Sequence, residues 1–314
     1  MKRITSKPNA SLLPTASYNG CVESNLAEHS GSILLPGVAL IQLQGADVIE
    51  WLQGQATNDV RPLSEGQPVS FCLCSPTGQM RAVVDAIPKD DAVFLTCPIE
   101  SRGHVLSRVE EMVIMEDVVA EDLTDEYLLI SIQGHDANAF GPLNFPNDRT
   151  GYGGIDNWLP RGDQERIDQI LASCPSISTS TYNMMRLEAG IPFWGIDMDE
   201  KTLPPELGRA FESRHVSYNK GCYVGQEILM RIFSRGHTNK TWKGLVADGP
   251  LEIGAQIDGF EKPNIGTVTS TAHSKRFGHI GAAMLRNEFA TPGQSVLVQT
   301  ERGEIDALVR EMPF

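Results

Sequence analysis

Apolar residues along the chain fall into short β-type runs and longer stretches with a helical period. The short runs predict strands over residues 38–44, 69–75, 79–87, 92–96, 114–120 and 127–132. Ser75-Pro76-Thr77-Gly78 joins the second and third as a hairpin turn. Helical spacing marks 99–112, 163–172 and 181–189, the last closed by Gly190 with Pro192 beyond it. A further helix opens after Gly45-Ala46, with Asp47 as N-cap and Glu50 as its capping-box partner. Residues 140–160 are rich in glycine, proline and asparagine and predict a long surface loop. They lack the Gly-x-x-x-x-Gly-Lys-Ser/Thr pattern of a phosphate loop. From Trp242 onward, short β-type runs alternate with glycine and proline turns, the spacing of a small antiparallel barrel or sandwich. The expected class is α+β, with an arm over 1–32, a mixed region over 33–238 and a barrel over 239–314.

Composition narrows the function. Of 314 residues, 41% are hydrophobic and 21% charged, so the chain can build a core without disulfides. The formal charge of −14 disfavours a protein that coats nucleic acid by bulk electrostatics. No apolar run reaches the ~20 residues a membrane span needs. Met1-Lys2-Arg3 is basic, but no apolar segment follows it as in a signal peptide, so a cytoplasmic protein without membrane contact is expected. The six cysteines include no Cys-x-x-Cys, and no metal site is predicted. Cys72 and Cys74 would share one strand face, opposite Val69, Phe71 and Leu73, as small core residues.

The charge is unevenly spread. Residues 201–245 carry eight basic side chains against three acids, a local excess suited to an anionic ligand or to a solvated face. Within it lies Lys220-Gly221-Cys222-Tyr223-Val224-Gly225-Gln226-Glu227, followed by apolar residues at helical spacing. Cys222 would then sit on a tight turn before a helix that starts near Gly225 or Gln226. A helix N-terminus and the neighbouring Lys220 both favour a thiolate, the environment of a reactive cysteine.

That octapeptide resembles the signature of the YgfZ family, folate-binding proteins related to the glycine-cleavage T-protein. Leu52-Gln53-Gly54-Gln55-Ala56-Thr57-Asn58-Asp59, Arg186-Leu187-Glu188-Ala189-Gly190-Ile191-Pro192, Pro204-Pro205-Glu206-Leu207 and Gly266-Thr267-Val268-Thr269-Ser270 extend the likeness in the same order, as does Met312-Pro313-Phe314. The resemblance implies two mixed lobes and a barrel around a central folate site, with tetrahydrofolate or a derivative as ligand. Glu188 occupies the position of the pterin-contacting glutamate, whose two oxygens can pair with adjacent N–H donors. Arg186 belongs to the same segment, and Tyr182, Trp194 and Tyr223 are candidate stacking walls.

T-proteins carry paired aspartates after the first hairpin turn, where this chain has Arg81 and Ala82, with Asp85 on the strand face opposite Ala82. Little aminomethyltransferase activity, and no independent catalysis, is therefore expected. The implied role is an accessory protein for iron–sulfur enzymes, including those that methylthiolate tRNA, with Cys222 as the functional thiol and tRNA contacted indirectly. One thiol cannot hold a cluster alone, so Cys222 would act by exchange or shared ligation. The rival readings are a folate-dependent one-carbon transferase or demethylase, and a direct tRNA-binding module.

Overall fold

The computed structural model describes Leu26 and residues 29–314. The expected arm, with Cys21, lies outside the described residues except at its end, where Ser30–Leu34 forms the first strand, β1.

Strands β2 (Val38–Gln44), β3 (Val69–Cys74), β4 (Met80–Lys89), β5 (Ala92–Pro98) and β6 (Val119–Asp122) form one antiparallel sheet, ordered β3-β4-β5-β2-β6. Helices α1 (Val48–Gln55) and α2 (Arg102–Met112) cover one face and bury Trp51, Leu52, Val105 and Val109 against Phe71, Leu73, Ala82 and Val84. Period-two alternation accounts for this layer: Val69, Phe71 and Leu73 enter it, while Cys72 and Cys74 turn to the other side. Both thiols are fully buried, and burial pushes Cys74 up to about 12 and Cys72 well above its ordinary value. They are core residues.

The second sheet joins β1, β7 (Tyr127–Gly134), β9 (Gly154–Pro160) and β8 (Leu143–Pro146) in that order. Helices α3 (Gln164–Ser173) and α4 (Thr179–Glu188) follow it, then α5 (Arg209–His215) and α6 (Gln226–Arg235). The last six strands close a barrel: β10 (Lys240–Ala247), β11 (Gln256–Asp258), β12 (Gly266–Ser274), β13 (Gly278–Arg286), β14 (Ser295–Thr300) and β15 (Gly303–Arg310). Around it they run β10-β13-β12-β11-β14-β15, all pairs antiparallel. The α+β class with a terminal barrel stands.

Three local expectations fail for identifiable reasons. Residues 140–160 are not all loop, because β9 pairs with β7 along its whole length. Asp156 and Asn157 are fully buried in β9, so polar residues occupy core positions and hide the apolar rhythm. The strand expected over 114–120 is confined to β6. Ile114 and Met115 stand in an exposed turn, where the Glu116 carboxylate accepts both backbone N–H groups at 2.9 and 3.0 Å. The capping box at α1 does not form. Asp47 instead accepts from the Asp117 N–H at 2.8 Å, and Asp117 accepts from that of Ala46 at 3.0 Å. Gly45 permits this clasp: it has φ +129°, and a Cβ there would lie 1.9 Å from the Asp117 carbonyl oxygen.

One buried ion pair ties the lobes to the barrel. Arg186 on α4 donates to Asp197 Oδ2 at 2.7 Å and to Ser270 Oγ of β12 at 2.7 Å. Asp197 also accepts from Thr269 and Ser270 hydroxyls, both at 2.6 Å, and from the Phe193 N–H at 3.0 Å. Among the described residues, no helix is long and apolar enough to cross a membrane.

Candidate functional site

A cavity of about 280 Å³ opens where β4, β5, α4, α5 and the segment 189–194 meet. Its walls are apolar and aromatic, with Val38, Val83, Ile191, Phe193, Trp194 and Phe211 among them. Its polar end gathers Asp85, Asn147, Arg149, Tyr182, Arg214 and His215 from four separate stretches of chain. A small, mostly apolar cleft with a few convergent polar groups is the usual form of a ligand site.

Asp85 is central to that polar end. Its Oδ1 accepts from Ser70 Oγ at 2.5 Å and lies 3.6 Å from Arg214, while its Oδ2 accepts from Asn147 Nδ2 at 3.3 Å. The side chain stays 26% exposed, so the carboxylate has lone pairs left for a ligand. Opposite it, Arg149 is locked to buried Asp156 through Nε and Nη2, at 3.0 and 2.6 Å, and Asn147 donates to the same carboxylate at 3.0 Å. Asp156 keeps the Arg149 guanidinium charged and holds its plane fixed. Burial raises the Tyr182 phenol above its ordinary value, an effect that Arg149 and Arg186 oppose, so it enters the cavity as a neutral hydroxyl.

His215 is neutral as well. Burial lowers it from 6.5 to about 4, its Nδ1–H donates to the Phe211 carbonyl at 2.8 Å, and its ring stacks on Phe211 with centroids 4.0 Å apart. Because the folded-state value is the lower one, the unfolded chain takes up the proton first as pH falls. This contribution to stability is complete above pH 6.5 and declines as pH falls towards 4. Urea unfolding at pH 7 and pH 4 should therefore show wild type losing about 3 kcal/mol more than His215→Phe. Equal losses in the two proteins would contradict the assignment.

The residues expected from sequence divide into two groups. Tyr182 and Trp194 line the cavity. Arg186 lies behind its wall, buried in the pair with Asp197 and 5.6 Å from the Phe193 ring. Glu188 does not reach the cavity: its carboxylate accepts from Ser274 Oγ at 2.6 Å and faces a separate hollow between α4 and β12. The reason is helical phase, since Tyr182 and Glu188 are six residues apart and so fall on different sides of α4. The argument from a missing carboxylate also needs correction. Asp85 does point away from Ala82, but Ala82 lies in the core and the cavity is on the Asp85 side. Arg149, Asn147 and Arg214 were missed because no spacing links them; the Asn-Asp-Arg run after β8 was the one available hint.

The octapeptide lies apart from the cavity. Gly225 is the N-cap of α6 with φ +89°, packed so closely on the β3–β4 turn that a Cβ would meet the Ser75 carbonyl oxygen at 2.6 Å. Gly221 and Cys222 are exposed, Gln226 begins α6, and Glu227 pairs with Arg231 at 2.9 Å. Tyr223 is buried among Cys72, Cys74 and Leu229, and is therefore not a cavity wall. Lys220 does not serve the thiol. Its ammonium donates to the carbonyls of Gln53, Ala56 and Asn58 at 2.6, 2.6 and 3.0 Å, capping the C-terminal end of α1. Burial lowers Lys220 to about 8. The basic segment is largely paired in the same way: Lys240 meets Glu206 at 3.6 Å, Lys243 meets Glu311 at 2.5 Å, and of its eight cations only Arg214 lines the cavity.

Comparison with known proteins agrees with this architecture. Residues 240–314 match the glycine cleavage T-protein C-terminal barrel domain. The chain is 30% identical to the mitochondrial aminomethyltransferase of Gallus gallus, over 96% of its own length and 86% of the relative's. It belongs to the aminomethyltransferase, or glycine-cleavage T-protein, family. The T-protein fold is also evident in three dimensions: a glycine cleavage system aminomethyltransferase T from Bartonella henselae superposes with a TM-score of 0.78 over 96% of this chain and 94% of that one, at 15% identity. The T-protein relatives also include an iron–sulfur cluster assembly factor homolog of Mycosarcoma maydis, 23% identical over 74% of this chain and 62% of that protein. Among the described residues, no group of three or more histidine, cysteine or acidic side chains is placed to hold a metal ion.

Proposed function

We propose that this protein binds a reduced folate in the central cavity and acts as an accessory protein for iron–sulfur enzymes, among them those that methylthiolate tRNA, with Cys222 as its working thiol. The observation that carries the reading is the polar end of the cavity: a ligand-accessible carboxylate, Asp85, beside two guanidinium groups in a cleft with aromatic walls. An aminopyrimidine presents adjacent N–H donors that a carboxylate accepts in pairs, and Asp85 has the free capacity to do so. Trp194, Phe193 and Tyr182 offer flat apolar surface to a fused ring, while Arg149 and Arg214 offer donors to its acceptors and to an anionic tail. The family and the assembly-factor relative support the accessory role, and the exposure of Cys222 on a glycine-bracketed turn gives a partner access to it.

The test is complementation of a strain that lacks this function. Cys222→Ala should abolish support of a cluster-dependent tRNA methylthiolation enzyme while folate affinity stays within about twofold of wild type. Full complementation by the variant would refute the role of the thiol. One observation favours a second reading, folate-dependent one-carbon transfer: Asp85 gives the cavity a carboxylate able to manage a proton. Methylene-tetrahydrofolate formed by pure protein from an aminomethyl donor, and lost in Asp85→Asn, would establish it.

A further inference from the structure

The turn between α2 and β6 carries apolar surface that the fold leaves uncovered. Among the described residues nine large apolar side chains are exposed, and four of them, Met112, Ile114, Met115 and Val119, fall between residues 112 and 119. Ile114 is 84% and Met115 93% exposed. The turn is built to hold them there. The Glu116 carboxylate accepts both of their N–H groups, and the Asp47–Asp117 clasp ties the next residue to the start of α1. β6 is then an edge of its sheet: it pairs with β2, and no strand lies on its outer side among the described residues. A free sheet edge is a template for a further strand. The charge around this tip has one sign. Residues 110–121 hold five acids and no base, a far denser run than the 40 acids in 314 residues of the whole chain. None of the five makes an ion pair among the described residues. The two arginines of α2 that lie nearby are already engaged. Arg102 is committed to Asp122 and reaches Asp125 at 3.7 Å, while Arg108 donates inward to Gln55 and the Cys74 carbonyl at 3.2 and 2.8 Å.

We propose that this tip and edge dock a basic, extended segment of a partner protein, one that adds to β6 as a strand, packs apolar side chains on Ile114 and Met115 and sets cations against the acids around them. Strand addition supplies main-chain hydrogen bonds, and the flanking side chains supply the selection. Charge chooses the occupant. Glu110 and Glu111 fill the last turn of α2, where a helix end favours cations and none is present. The fold gains nothing from that placement, whereas a cationic partner does. A second copy of this chain would bring the same acids to the same edge, so pairing β6 with β6 sets like charges opposite one another. Nucleic acid and anionic lipid are repelled by the same carboxylates. A basic segment with apolar residues satisfies the tip, the edge and the charge together. Neither the cavity nor Cys222 enters this argument, so it stands apart from the folate and thiol reading.

Three fluorescein-labelled peptides of equal length provide the probe. One alternates Lys with Val and Ile, one alternates Glu with Val and Ile, and one alternates Lys with Ser. Fluorescence anisotropy with the full chain should show the first binding at least about tenfold tighter than either of the others. The double variants Ile114→Ser/Met115→Ser and Glu110→Lys/Glu111→Lys should each weaken it at least about tenfold. All four residues are exposed, so both variants should keep the circular dichroism spectrum and urea midpoint of wild type. Tetrahydrofolate should titrate into Ile114→Ser/Met115→Ser as it does into wild type, so the docking site and the folate reading fail or stand separately. Equal affinity for the first and second peptides would overturn the proposal by removing the charge selection. Equal affinity for the first and third would remove the apolar anchor, and would overturn it too. So would no binding of any peptide, indifference to either double variant, or self-association that Ile114→Ser/Met115→Ser abolishes in a protein that ignores the peptides.

Discussion

Asp197→Ala lowers the stability of the fold by about 3–5 kcal/mol, the cost of leaving a buried charge without its partner. The charge left behind is Arg186, which is 1% exposed and lies too deep for water to replace the lost carboxylate. Three further donors reach the same two oxygens: Thr269 and Ser270 donate to Oδ1 and the Phe193 N–H donates to Oδ2. Arg186 also donates to the Ile191 carbonyl at 3.1 Å, so the pair sets the path of the chain from α4 into the cavity wall. Urea titration followed by near-ultraviolet circular dichroism measures the loss. Asp197→Asn, which keeps an acceptor but removes the charge, should fall between wild type and alanine. A change within about 0.5 kcal/mol, as for an ordinary surface site, would mean that the pair does not join α4 to the barrel.

If the cavity holds a reduced folate as proposed, Asp85→Asn should reduce its affinity by about 10- to 100-fold, which corresponds to a charge-assisted hydrogen bond worth about 1.5–3 kcal/mol. The substitution keeps the size of the side chain but removes the negative charge and turns one acceptor into a donor. That donor would confront Asn147 and Arg214, which already donate towards this carboxyl group. Stability should change little, because Asp85 is partly exposed and its pair with Arg214 is solvated. Glu188→Gln serves as the counterpart: Glu188 is held by Ser274 and faces another hollow, so affinity should remain within about twofold.

What could be read from the sequence was local. Alternation over residues 69–87 places Cys72 and Cys74 on one face and Asp85 opposite Ala82, and both relations hold in the structure. Glycine and proline turns mark the barrel strands, because β11–β12, β12–β13 and β14–β15 pair through short connections. What could not be read was distant or polar. Lys220 meets the end of α1 more than 160 residues earlier, so its neighbour in sequence, Cys222, was the wrong guide to its partner. The cluster of Asp85, Asn147, Arg149, Asp156 and Arg214 has no spacing in common and is assembled only when both sheets meet α5. Glu188 shows the limit of a motif: the segment around it resembles the family's, yet side-chain direction depends on helical phase, and six residues on from Tyr182 that phase turns Glu188 to Ser274 of the barrel.

Isothermal titration of tetrahydrofolate and its 5-formyl derivative into wild type, Asp85→Asn and Glu188→Gln tests the central claim most directly. The account predicts binding to wild type, a 10- to 100-fold loss in Asp85→Asn and near-normal affinity in Glu188→Gln. Absence of binding to wild type, or a loss confined to Glu188→Gln, would contradict it.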